Sequence, residues 1–318
     1  MSENILTDAD IVITSYLPPD PDKRRIRLGY HLRQREELKE LFPQLVIFSI
    51  CSGYKQEDIK QLRSRRHHAV FYPKRLHKFQ KHNKVLQDLY QIQDNGRAIL
   101  LLDDDVVPAD IPTPTSTVDF ILDAIKSPKT VMPCPCLFFC CKGLLRDSFW
   151  KSNMNRENPY SPRSSVTGWA ILVRSDFKVM LRHDEMVHEE FMPNDDTMFR
   201  FKGASLGKEV LTDMQIYFKS YQSMSNDKKS VWFDTREQRH DVIAGTADLI
   251  QQLWPWLLID AKAEKIQPIW NAKGKLKRTL LNIGALKQTP RSLVPVPKLL
   301  KAYYEGKQEK RPSLADLL

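Results

Sequence analysis

Residues 99–108 read Ile-Leu-Leu-Leu-Asp-Asp-Asp-Val-Val-Pro, an apolar run that passes without a break into three carboxylates. With Ala98 in front, the run has no polar alternation, as expected of a strand covered on both faces in the middle of a parallel sheet. Carboxylates at the end of such a strand fall at the carboxyl edge of the sheet, where open α/β sheets bind ligands. Adjacent carboxylates repel one another, so a positive charge is expected beside them. Hard oxygen donors suit Mg2+ or Mn2+, ions that take one or two carboxylates together with phosphate oxygens. A nucleoside diphosphate is the natural companion. An acidic loop that only caps the next element is the plainer alternative.

Working outward, the segments on either side support the same architecture. Asp10–Tyr16 is a short β-branched run halted by Pro18 and Pro19, and Leu45–Ile50 is a second that ends at Ser52-Gly53. A charged helix is predicted over 28–41, a third strand over Ala69–Tyr72, and a helix over 76–93 with Phe79, Val85, Leu86, Leu89 and Tyr90 as its apolar stripe. Asn95-Gly96 then turns the chain into the fourth strand. Further on, a helix is predicted near Val118–Ile125, a strand at the cysteines, and another at Gly168–Val173. Alternating strands and helices predict an α/β fold with a mostly parallel, Rossmann-type central sheet flanked by helices. After Trp256 the chain turns basic and proline-bearing. The expected division is a catalytic domain over 1–255 and a basic C-terminal extension over 256–318.

The chain has 318 residues, of which 42% are hydrophobic and 28% charged, enough apolar material for a core. No run reaches the roughly 18 to 20 apolar residues of a membrane span, and the first residues are acidic where a signal peptide is basic. No transmembrane segment and a cytoplasmic location are therefore expected. The formal net charge is +10. Between Ala261 and Arg311, ten lysines and three arginines face three glutamates, so this segment alone accounts for the excess. A second basic concentration runs from Lys55 to Lys84. Such charge suits a polyanionic partner, though one run alone is as readily a solvated face. The cysteines Cys134, Cys136, Cys140 and Cys141 lack the paired spacing of structural zinc sites and read as buried thiols of a strand.

The order strand, helix, strand and D-x-D, followed by an acidic pair, resembles nucleotide-sugar-dependent glycosyltransferases of the GT-A fold, over roughly residues 8 to 245. The resemblance implies that Asp103 meets the ribose of a UDP-sugar, with Asp104 beside it, and that Asp105 binds Mn2+ or Mg2+. Thr14-Ser15-Tyr16, at the end of the first strand, is similar to the start of that family's nucleotide pocket. Lys81 and Asn83 resemble the basic and amide positions ahead of D-x-D. Thr167-Gly168-Trp169 looks like the strand start beside the donor sugar, where Gly168 admits the substrate to the backbone and Trp169 offers an apolar face. Asp195-Asp196 resembles the acidic pair that opens a helix, in which one carboxylate, here assigned to Asp196, deprotonates the acceptor. A helix cap is the plainer reading of that pair. His240 is the implied last metal ligand, with His188 as competitor. The Gln-x-x-Arg-Trp motif of polymerising synthases is absent.

The basic segments, with Lys74, Arg75, Lys275, Lys277 and Arg278 as the expected contacts, imply a phosphate backbone as acceptor surface. A hydroxymethylated pyrimidine in double-stranded DNA presents a primary hydroxyl once flipped out, and the combination resembles bacteriophage DNA-modifying glycosyltransferases. Expected, then, is an inverting, metal-dependent transfer from a UDP-sugar to such a base. The alternatives are a polysaccharide, lipid-linked or protein acceptor, or a two-metal nucleotidyltransferase or nuclease.

Overall fold

The computed structural model describes residues 8–65, 68–74, 76, 78–91, 96–109, 116–141, 160–161, 167–182, 199, 202–203, 206, 208–221, 268–272 and 275–278. In chain order the elements are β1 (Ile11–Tyr16), α1 (Pro21–Leu41), β2 (Ile47–Ser52), α2 (Gln56–Ser64), β3 (His68–Tyr72), α3 (Lys78–Gln91), β4 (Ala98–Asp103) and β5 (Val106–Pro108). They continue with α4 (Thr117–Lys126), α5 (Pro128–Val131), β6 (Cys136–Cys141), β7 (Tyr160–Ser161), β8 (Thr167–Arg174), β9 (Val210–Ser220), β10 (Pro268–Ala272) and β11 (Lys275–Arg278). Two compact units form. The first comprises Met1–Pro159, Val166–Lys178 and Asp213–Val231, and the second comprises Tyr160–Ser165, Val179–Thr212 and Trp232–Leu318.

The first unit is built on a sheet of order β3-β2-β1-β4-β8-β6-β9-β5. Its first four strands are mutually parallel, and β8 then pairs antiparallel with both β4 and β6. The expected α/β architecture, a largely parallel sheet with helices against it, is what forms. With β1 on one side and β8 on the other, β4 is interior, and Ala98–Leu102 are all buried, as their unbroken apolar run requires. Helix α3 buries Phe79, Val85, Leu86 and Leu89 of the predicted stripe, and Tyr90 is half-buried.

Helix α1 departs from expectation at its start and on its inner face. It begins at Pro21, seven residues ahead of the predicted start, because Asp20 caps it: Lys23 N donates to Asp20 Oδ1 at 2.8 Å, and Pro21 fills the first helical position. Its buried face carries Arg24, Arg27, His31, Gln34 and Arg35 among Leu28, Leu32 and Leu38. A polar stripe therefore meets the sheet where an apolar one is usual.

Gly53 closes β2 with φ at 76°, and a Cβ there would stand 2.5 Å from Leu17 O, so only glycine fits this turn. Arg24 braces the same corner, donating to Gly53 O at 2.8 Å and pairing with Asp58, whose carboxylate also accepts from Lys55 N at the start of α2. Cys51, Cys134 and Cys136 are buried, and Cys140 and Cys141 lie in β6. In the second unit, β10 and β11 form an antiparallel hairpin. Among the described residues no helix is long and apolar enough to cross a membrane. The expected boundary between residues 255 and 256 lies outside the described residues.

Candidate functional site

The register of β1 on β4 sets Thr14 opposite Asp103, so Thr14-Ser15-Tyr16 and the acidic triplet end side by side at the carboxyl edge of the parallel strands. Between β4 and β5 the chain turns through Asp104 and Asp105. Gln34 of α1 pins both ends of this turn, its Nε2 donating to Asp103 O and Val106 O at 2.5 Å each. Tyr221 N holds the middle by donating to Asp105 O at 2.9 Å.

The cation that the triplet demands is a side chain of this protein. Asp104 is 0% exposed, paired with Arg27 of α1, and accepts from Ser15 Oγ at 2.5 Å. Asp105, also buried, accepts from Ser220 Oγ at 2.5 Å and has Arg27 Nη1 at 3.7 Å. Burial would lower the Arg27 pKa, but Asp104, Asp105 and Asp103 more than offset it, so the guanidinium is held charged above its usual range. Burial pushes the Asp104 carboxyl up to about 6. Arg27 and the Ser15 hydroxyl pull it down, while Asp105 and Asp103 add to the rise. Asp103 is only partly buried and ends β4.

Around β1, Thr14 Oγ1 and His82 Nε2 lie 3.1 Å apart, and Lys81 Nζ donates to Ser15 O at 2.8 Å. The same ammonium lies 5.9 Å from the centre of the Tyr16 ring. Lys81 is 2% exposed, so α3 turns this cation into the sheet edge rather than into solvent, and Asn83 on the same helix is half-buried. Gly168 and Trp169 stand in β8 just ahead of Ala170, which pairs with Leu102, and so occupy the end of β8 next to the triplet. Lys74 is exposed after β3. Lys275, Lys277 and Arg278 belong to β11 of the second unit. Asp195, Asp196, His188, His240 and Arg75 lie outside the described residues.

Sequence reasoning missed Arg27, Gln34 and Ser220. The first two had a legible signal: Arg24, Arg27, His31, Gln34 and Arg35 recur at three- and four-residue spacing on one helix face. Ser220 had none, since its partner lies 115 residues away.

Among the described residues no group of three or more His, Cys, Asp or Glu side chains is arranged to hold a metal ion. Mg2+ and Mn2+ need only one or two protein carboxylates when phosphate oxygens complete the shell. By donor chemistry Asp103 and Asp105 fit that need. Asp104, committed to Arg27 and Ser15, does not.

Similar folds occur among solved structures. One is GalNAc-T7 with UDP, GalNAc and Mn2+, at 10% identity and a TM-score of 0.45, covering 77% of this chain and 48% of that one. The chain thus spans about half the length of that protein. A second is residues 1–349 of TarS from S. aureus, at 10% identity and a TM-score of 0.43, covering 80% and 74% of the two chains. A third is CMP:2-keto-3-deoxy-manno-octonic acid synthetase complexed with CTP, at 11% identity and a TM-score of 0.38, covering 77% and 99%. No protein-family model matches the sequence, and no curated protein matches it. At such identities chemistry rests on this chain's own residues.

Proposed function

We propose that this protein is a glycosyltransferase that moves a sugar from a UDP-sugar to the hydroxyl of a hydroxymethylated pyrimidine in DNA. The observation that carries the sugar-transfer reading is the Ser15–Asp104 hydrogen bond, which joins the end of β1 to the acidic triplet at the end of β4. That bond brings the end of β1 and the triplet into one corner of the sheet, which supports reading them as two halves of a donor site. A two-metal site is the weaker reading, because it needs more carboxylates than one ion does and Asp104 is already neutralised by Arg27.

In this reading Asp103 meets the ribose, while Thr14, Ser15, Tyr16, Lys81 and Asn83 line the nucleotide side and Gly168 and Trp169 the sugar side. A divalent ion held by Asp103 and Asp105, with His240 as a further ligand, would screen the charge growing on the departing diphosphate. The acceptor oxygen attacks the anomeric carbon as its bond to the diphosphate breaks. Asp196, beside Asp195, takes the acceptor's proton, giving inversion. DNA is favoured as acceptor by the basic excess of residues 261–311 and by Lys74, Arg75, Lys275, Lys277 and Arg278.

The test is incubation with UDP-sugars, Mn2+ and hydroxymethylcytosine DNA, read by mass for an added hexose or pentose. Transfer to a polysaccharide, lipid-linked sugar or protein but not to DNA would reject the acceptor, and a retained anomeric configuration would reject Asp196 as a base. No transfer to any acceptor would sink the proposal. Calorimetry of UDP with Mn2+ should show that Asp105→Ala removes the metal dependence of nucleotide binding.

A further inference from the structure

Beneath the acidic turn runs a set of polar side chains, of which Arg35, Ser49, His31 and Tyr54 have no part in the proposed chemistry. Arg35 Nη1 lies 2.7 Å from Ser49 Oγ, Ser49 Oγ lies 3.0 Å from His31 Nε2, and His31 Nδ1 lies 2.6 Å from the Tyr54 hydroxyl. The Tyr54 hydroxyl lies 2.6 Å from Ser15 Oγ, which donates to Asp104. All six side chains are buried, Ser15, His31, Ser49 and Asp104 completely. They come from α1, β2, the loop before α2, β1 and the turn after β4, so the set ties five parts of the chain together.

The direction of each bond follows from its two ends. Asp104, paired with Arg27, accepts from Ser15, so Ser15 gives its single proton there and must accept from Tyr54. Tyr54, whose phenol burial pushes well above its usual pKa, with Cys51 and Asp104 adding to the rise, has one proton and has given it away. It therefore accepts from His31 Nδ1–H. At the far end Arg35 can only donate, so Ser49 accepts from it and gives its own proton to His31 Nε2. Every dipole then points the same way, from a guanidinium to a carboxylate, an alignment in which each bond polarises and strengthens the next.

We infer that His31 and Tyr54 are positioning residues for the acidic turn: the one-way chain Arg35–Ser49–His31–Tyr54–Ser15 fixes the Asp104 carboxylate against Arg27. Asp103 and Asp105 are thereby kept in place for a ligand. The assignment of the hydrogen bonds is independent of the proposed function. The effect on nucleotide rests on it.

Two measurements decide the matter. Ring 15N shifts of His31, assigned by comparison with His31→Asn, should show a neutral imidazole protonated on Nδ1 at neutral pH. The Nε2–H tautomer or an imidazolium would overturn the chain, and this arm needs no ligand. In calorimetry with UDP and Mn2+, Tyr54→Phe should weaken binding about tenfold, the effect of losing roughly one buried hydrogen bond. Ser15→Ala should do the same, and the double variant should bind no worse than the poorer single one. Unchanged affinity in Tyr54→Phe, or losses that simply add, would overturn the positioning role. Should the native protein bind no UDP with Mn2+, the donor-site reading fails, and the chain then stands or falls on the histidine tautomer.

Discussion

Arg27 is the residue on which the acidic turn depends most. Replacing one partner of a buried pair leaves the other charge without compensation, typically at a cost of about 3–5 kcal/mol. Arg27→Met should therefore lower the urea midpoint strongly, and adding Asp104→Asn should restore much of the loss. Asp213 offers a case of the opposite kind. Burial pushes its carboxyl up to about 6, against the amides of Gln215 and Ile216 that donate to it at 2.7 and 3.0 Å. The native state therefore holds the proton more tightly than the unfolded chain, whose aspartates titrate near 4. Stability from this group is complete below about pH 4 and is lost as pH rises through about 6. Asp213→Asn, neutral at every pH and still able to accept, should flatten the melting temperature between pH 4 and 6. At neutral pH it should raise stability by about 2–3 kcal/mol.

At the level of elements, α1 carries both the cap and the clamp. Asp20→Ala removes the acceptor for Lys23 N and should cost about 1 kcal/mol, read from thermal unfolding by circular dichroism. The cap was legible, since Asp20-Pro21-Asp22 is a start signal, but Pro18-Pro19 just before it reads more loudly as a break. Strands β1 to β4 were legible because their apolar runs are short and bounded by turn residues. Helix α2 was not, as its nine residues offer only Ile59 and Leu62 as apolar markers. Nor was β9, where Thr212 and Asp213 are buried and break any alternation of polarity. Of the site, the triplet and its β1 neighbours could be read from spacing along the chain. Tyr54 and Ser220 could not, because what makes them matter is a partner on another element. The inner face of α1 keeps helical periodicity with the polarity reversed, so a search for apolar stripes passes over it.

For the molecule as a whole, the basic excess carries the prediction. Lys275, Lys277 and Arg278 share β11, and if they meet phosphates, replacing all three with serine should weaken duplex binding equally across sequences. The slope of log affinity against log salt should shrink by about 3, roughly one per lost contact, measured by fluorescence anisotropy. UDP binding should be untouched. The polar inner face of α1 has a last consequence, for how the chain finds its structure. Apolar helix faces can slide along a sheet at modest cost, since one leucine replaces another. Shifted by one turn, about 5.4 Å, α1 would instead strand Arg24, Arg27 and Arg35 away from Asp58, Asp104 and Ser49. Each misplaced guanidinium costs several kcal/mol, so misdocked compact states are raised far above the native one, and a single seating of this helix is selected from the outset.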